Sequence, residues 1–475
     1  MRKILLSVLA AVVVVAGVIQ VAPEADPAPE FELAQAEQID EAEASPTVWY
    51  CPWITASDVL ESTISVATQA DASILMTLLD PLANAEPTVF PFDLQSDSAT
   101  GISTGVLLRK GESPAVVEIS NGPAAATSIQ FADGLVSADK CTVSVPNEWY
   151  LPGGSTKTGS FTQLRLFNPF ADNAEVEITA HSEFNLDLIP DFAQIDVPGR
   201  SWTTIDFEPF LPFRDELSIK VTTTTGLVIP VMIRTDEHGE ATWNGSTPSQ
   251  AWEFPVVSPG KLVPSIAVVT AGQDDVTVSF DIVTESGIIV DAREITLDST
   301  APALVSLEDL AVAPYGVRVR ATAPIVATVV ASVPDVSEVG AGSLDDATPS
   351  TTAPETDTTV ATEEDFARGL AATTGIPELS ASWIIPIETF PGSDTTLWMM
   401  NSGVDVATVT VVALSEDEFL SEETVQIAPG TIVAISVPGG IGVFGYRLAS
   451  DTPISAAWEI VGDKGVALVA GIPTG

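Results

Sequence analysis

The sequence predicts an all-β chain, in which tandem immunoglobulin-like β-sandwich repeats follow an N-terminal apolar helix. Three observations carry this. A Trp-x-x-Pro signature recurs four times, as "WYCP" at Trp49, "WYLP" at Trp149, "WEFP" at Trp252 and "WIIP" at Trp383. Period-two apolar alternation follows each signature at matching distances. Helical periodicity is scarce after residue 50.

Near the start stand Arg2 and Lys3, then a run from Ile4 to Ile19 that is apolar but for Ser7. Such a run is an export segment. It is just short of the roughly 20 residues that span a bilayer, so a cleaved signal and an uncleaved anchor both fit, and the reading leans to the anchor over residues 1–21. The basic residues are expected to stay cytoplasmic and everything after Val21 to lie outside. Residues 22–47 are acidic and rich in Ala and Pro, the composition of a disordered linker.

Ile64, Leu164, Ile266 and Leu397 align with one another after their tryptophans. Two positions on stand Val66, Leu166, Val268 and Met399; after "TQADAS", "NPFADN", "TAGQDD" and "NSGVDV" the alternation resumes at Ile74, Ala174, Val276 and Ala407. Strand, turn-rich connection, strand is a hairpin. Each copy is expected to continue through a strand such as "LLRKGES" or "IDVPGRS" and to close on a two-strand unit around a Gly or Pro corner, "SIQFADGLVSA" in the first copy. About seven short strands per copy suit a sandwich. The boundaries read 48–146, 147–248, 249–336 and 376–475. The Thr/Pro/acid-rich stretch 337–375 is expected to be a linker that separates the fourth copy from the third.

Asp and Glu number 65 against 18 Lys and Arg, a net charge of −47. Nucleic acid and anionic lipid surfaces would repel such a chain, so no nucleic-acid partner is expected and the membrane is met only through the N-terminal helix. The two cysteines, Cys51 and Cys141, are expected to form a disulfide in an exported chain.

Catalytic motifs are sparse. "GGSTKTG" from Gly153 approaches a phosphate-binding loop, but Thr156 stands where that loop needs glycine before the lysine, and an alternating strand follows in place of a helix. It reads as a turn. No G-x-S-x-G is present. His181 and His238 are the only imidazoles, each read as exposed and structurally neutral, so neither a triad nor a zinc site has much to draw on. A chance carboxylate pair such as Glu175 with Asp187 could serve a glycosidase. The acid of Ser415 to Glu423 and Gln273 to Asp275 makes calcium a candidate, without the loop spacing that wraps that ion. No catalytic, cofactor or metal residue is assigned. Trp53, Trp202, Trp243, Trp398 and Trp458, outside the opening signatures, are candidates for an aromatic binding surface.

The apolar N-terminal run, "WYCP" with Cys51, and "KCTVSVPNEWYLPGGSTKTGSFTQLRLFNP" together resemble an uncharacterised actinobacterial family of exported, single-span envelope proteins. Trp53 departs from the glycine expected after "YCP". The similarity spans most of residues 48–475 and is clearest from Cys141 to Trp243. It implies export, β-rich structure and no assigned activity, and supplies no catalytic residues. The combined expectation is a non-enzymatic extracytoplasmic envelope protein, a scaffold or adhesion-like surface whose partner is an envelope protein or polysaccharide. The alternative is a carbohydrate-binding module or a carbohydrate-active enzyme working on cell-wall polymer.

Overall fold

The computed structural model describes residues 46–333 and 369–474, apart from short stretches at 58–59, 80–86, 107–110, 133–134, 188, 259–261, 273, 313, 391, 417–418, 438–441 and 463–464. The apolar helix at 1–21, the linker up to residue 45, most of the "LLRK" strand and the 334–368 tract lie outside the described residues.

The described residues are all-β, with two short 3-10 turns and no α-helix. Each Trp signature opens a module with eight strand positions, one more than the sequence suggests; in the second module the fourth position is split into Asn185–Asp187 and Ile195–Val197, and in the third and fourth one long strand fills the sixth and seventh. The modules run from Thr47–Ala56 to Leu135–Lys140, from Glu148–Gly154 to Gly239–Asn244, from Ser249–Phe254 to Leu370–Thr374, and from Ser380–Pro386 to Gly465–Ala470. In every module the first strand pairs with the sixth, the sixth with the third and the third with the fourth. A second ladder joins fifth to second, second to seventh and seventh to eighth. In immunoglobulin constant domains, by contrast, the first strand joins the sheet of the second.

The sixth and seventh strands therefore lie in different sheets, and the chain must bend between them. The bend falls at Asn121-Gly122-Pro123 in the first module, where Asn121 and Gly122 have φ of 67° and 73°, and at Gly226, φ 70°, in the second. In the third and fourth modules one long strand, Gly316–Ser332 or Gly445–Gly462, bends at Pro324 or Pro453 and pairs in both sheets. Proline lacks the donor a continuous ladder would require, so it sits where pairing changes sheets. In the first copy the corner is thus Pro123; "SIQFADGLVSA" instead forms the hairpin of the seventh and eighth strands.

Two expectations about organisation are corrected. Leu370–Thr374 pairs antiparallel with Thr328 to Ser332, and all five of its residues are buried. The acidic tract 334–368 is thus inserted into a hairpin of the third module and does not separate that module from the fourth. The second strands also depart from simple alternation: Glu61–Thr68 is buried at every position after the first, whereas Ala72–Leu78 keeps the alternating pattern.

The cause is the way modules pack. The first strand of each module lies against the second or seventh strand of the next: Thr47–Ala56 on Ile229–Asp236, Glu148–Gly154 on Val263–Thr270, Ser249–Phe254 on Gly445–Gly462, and Ser380–Pro386 on Glu61–Thr68. The last contact returns to the first module and closes a ring. Each second sheet consequently has its own core on one side and a neighbouring module on the other.

At the centre the four eighth strands touch in cyclic order. Small residues there, Ser137, Ala138, Ala241, Thr242, Ala371, Ala372 and Ala467, let the backbones approach. Ser137 Oγ and Thr242 Oγ1 are 2.9 Å apart across this contact. Thr374 Oγ1 donates to Asn244 O, and Ala470 N donates to Thr373 Oγ1.

Candidate binding surface

The near-phosphate loop lies at the end of the second module. Ser155 N donates to Thr162 Oγ1 and Ser155 Oγ to Arg214 O; Thr156 N also donates to Arg214 O, and Phe213 N donates to Thr156 O. Thr156 Oγ1 donates to Leu211 O and accepts from Arg214 N. The loop thus spends its polar groups on the connection between the fifth and sixth strands, "FEPFLPFRDE" at Phe207 to Glu216. Glu183, at the neighbouring tip, accepts from the backbone N–H groups of Asp215 and Glu216.

Held in this way, Phe213 adopts φ of 60°. A left-handed backbone at a bulky residue costs on the order of 1–3 kcal/mol and persists only where the surroundings impose it. Phe213 is nevertheless 72% exposed and Phe184 64% exposed. Arg214 lies over the Phe184 ring at 5.0 Å from its centroid and reaches Asp187 Oδ1 at 3.4 Å. On the same connection, Phe210 contacts buried Phe192, which packs edge-on against buried Phe207. Exposed Phe184 and Phe213 thus flank Arg214 where the connections after the first, third and fifth strands meet.

The tryptophans expected to form an aromatic surface are placed otherwise. Trp243 and Trp458 are fully buried, and Trp398 and Trp53 nearly so; only Trp202 is half-buried. Trp243 donates to Pro152 O and Trp398 to Glu459 Oε1. Trp53 lies beneath the Arg165 guanidinium, which also bridges to Glu112 at 2.8 Å, so it is covered by the second module. Alternation along one strand could not reveal this, because neighbouring modules supply the covering. The exposed phenylalanines gave no periodic signal, being loop residues.

Cys51 and Cys141 form a disulfide, with Cα atoms 4.6 Å apart. Beside it Tyr50 pairs with Thr142, as Tyr150 does with Ser246 and Glu253 with Ile376. The segment after each of these eighth strands thus returns to its module's first strand, and only the first module adds a covalent bond.

Glu175 and Asp187 sit on different parts of one ladder: Glu175 opposes Asp196, while Asp187 opposes Ala180, five residues along the strand or about 17 Å. His181 is half-buried, with Nδ1 3.1 Å from Thr300 O of the third module, and burial lowers its pKa. This corrects its reading as an exposed residue. His238 lies at a hairpin tip, where its N–H donates to Asp236 Oδ1. Gln273, Asp417 and Glu418 of the calcium-candidate loops lie outside the described residues; Asp275 Oδ1 accepts from Ser299 N and Glu416 Oε1 from Thr100 Oγ1. Among the described residues no group of three or more His, Cys, Asp and Glu is placed to share a cation.

A family model described as a family of unknown function, DUF5719, matches residues 121–341, from the first module's corner to just beyond the third module's long strand. No curated protein matches. Among solved structures, the crystal structure of a Streptomyces avermitilis alpha-L-rhamnosidase complexed with L-rhamnose aligns at 8% identity over 86% of this chain and 54% of that one. This chain thus spans about half that protein's length, and the TM-score of 0.12 carries no inference about fold or ligand.

Proposed function

We infer that this is a non-enzymatic, extracytoplasmic cell-envelope protein: a ring-shaped scaffold of two-layer, broadly immunoglobulin-like β-sandwich repeats that holds a binding surface outside the membrane. Its N-terminal run anchors it to the outer face of the cytoplasmic membrane or is removed on export. Phe213 is the observation that carries the binding role. A strained, exposed aromatic braced by the loops around it is costly as packing and makes sense as a contact residue. The disulfide fits an oxidising compartment.

The partner is an envelope protein or polysaccharide. Co-sedimentation of the full chain with purified envelope polysaccharide, with reducing ends assayed in parallel, tests the reading. Binding without turnover that falls at least about tenfold in Phe184→Ala/Phe213→Ala supports the surface. Release of sugar ends would overturn the non-enzymatic reading in favour of a cell-wall enzyme. If polysaccharide does not bind, crosslinking from position 213 in intact cells must give a discrete envelope-protein adduct; failure of both would remove the surface. Loss of the protein from the membrane fraction when residues 1–21 are deleted checks the anchor.

A further inference from the structure

Every seam of the ring carries a carboxyl that faces a donor of the following module, and at three of the four the hydrogen bond is formed. At the first seam Asp139, 5% exposed, accepts from Asn244 N at 2.6 Å. At the second, half-buried Glu216 faces the backbone N–H of Leu304. At the third, Glu253, 4% exposed, accepts from Ser402 Oγ and from Ser455 Oγ at 2.7 Å. At the fourth, Glu388 accepts from Ser65 Oγ at 3.3 Å. Gly101 makes that approach feasible, since a side-chain carbon there would press on Glu388 Oε2. The direction is the same each time, so the contacts run once around the circle and close it.

These carboxyls lack strong cationic partners. Asp139 has its neighbour Lys140, which burial itself drives toward the neutral form. Glu216 faces Glu183 and Asp215 and shares its cleft with Arg234. Arg318 Nε stands 4.0 Å from Glu253, and the third seam also holds Glu459, bonded only to Trp398 Nε1. Glu388 faces a second carboxylate, Glu416. A buried carboxylate with so little compensation favours the neutral acid.

We propose that these four carboxyls make ring closure proton-dependent: in mild acid the seams are neutral and the ring is locked, and ionisation as pH rises loosens the modules from one another. Burial raises the pKa at all four, to about 7 for Asp139 and Glu388. A folded-state pKa above the unfolded one stabilises fully at acid pH and loses that contribution as pH rises through the folded value. The window for Glu388 thus runs from its ordinary 4.5 to about 7.

The test is thermal melting of the full chain between about pH 5 and pH 8, with native-state hydrogen exchange of the central strands corrected for intrinsic rates. The melting temperature should fall across the window. The opening constant of 239–244, 370–374 and 465–470 should rise on the order of 10²-fold per fully shifted carboxyl, while the third strand of each module keeps its protection. The quadruple variant Asp139→Asn/Glu216→Gln/Glu253→Gln/Glu388→Gln should lose most of this dependence. Should it not fold, Glu388→Gln alone should flatten the exchange profile at the fourth seam. A flat or rising wild-type profile, or an unchanged slope in the variants, overturns the proposal.

Discussion

The four opening tryptophans illustrate how one residue type can be kept for more than bulk. All four are buried, and two of them donate their indole N–H to the carbonyl just past the sheet-crossing corner: Trp149 to Val228 O at 3.0 Å and Trp252 to Ile325 O at 2.9 Å. Trp252→Phe should cost about 1–3 kcal/mol by orphaning that carbonyl as well as losing volume, measured by urea denaturation. The turn after each second strand has a similar device. Asn168 and Asn401 donate Nδ2 to two backbone carbonyls and accept the backbone N–H two residues on; Thr68 and Thr270 make the latter contact, and Thr68 Oγ1 also donates to Ala70 O. Asn401→Ala should destabilise by about 1–3 kcal/mol, and Asn401→Thr by less, because threonine retains the turn bond. At Phe213 the sign reverses: Phe213→Gly relieves the left-handed strain and should leave the melting temperature unchanged or higher while binding weakens.

Among the elements, the long strands Gly316–Ser332 and Gly445–Gly462 do most to shape a module, since each lies in two sheets and touches most of its neighbours. The insertion between Ser332 and Leu370 leads to a sharp expectation. Replacing residues 335–367 by a short turn should leave one melting transition at an unchanged temperature, because the strands on either side already pair. A separate transition for the fourth module would contradict this. The disulfide acts on the first module, where it closes a sequence separation of 90 residues. Reduction, or Cys51→Ser, should lower stability by about 2–5 kcal/mol, visible as a lower melting temperature with reductant.

Taken whole, the molecule depends on closure. Each module covers the outer face of the next module's second sheet, so removing one exposes apolar and polar groups that are buried in the intact ring. Truncation at residue 375 would uncover Ile64 to Thr68 and the central strands beside Val466; the shortened chain should aggregate or melt well below the full one, by differential scanning fluorimetry. The sequence by itself determined the β class, the fourfold repeat, the turn positions and the cysteine pair, because alternation, turn residues and cysteine count act over a few residues or through composition. Tertiary structure alone decided which sheet the first and seventh strands join, that the acidic tract lies within a hairpin, and that four of the five candidate surface tryptophans are buried. Those outcomes depend on contacts between distant modules, and the seam carboxyls became legible only when each was seen beside its donor in the following module. Burial on the second face of a sheet is a property of the neighbour, and local periodicity carries no record of it.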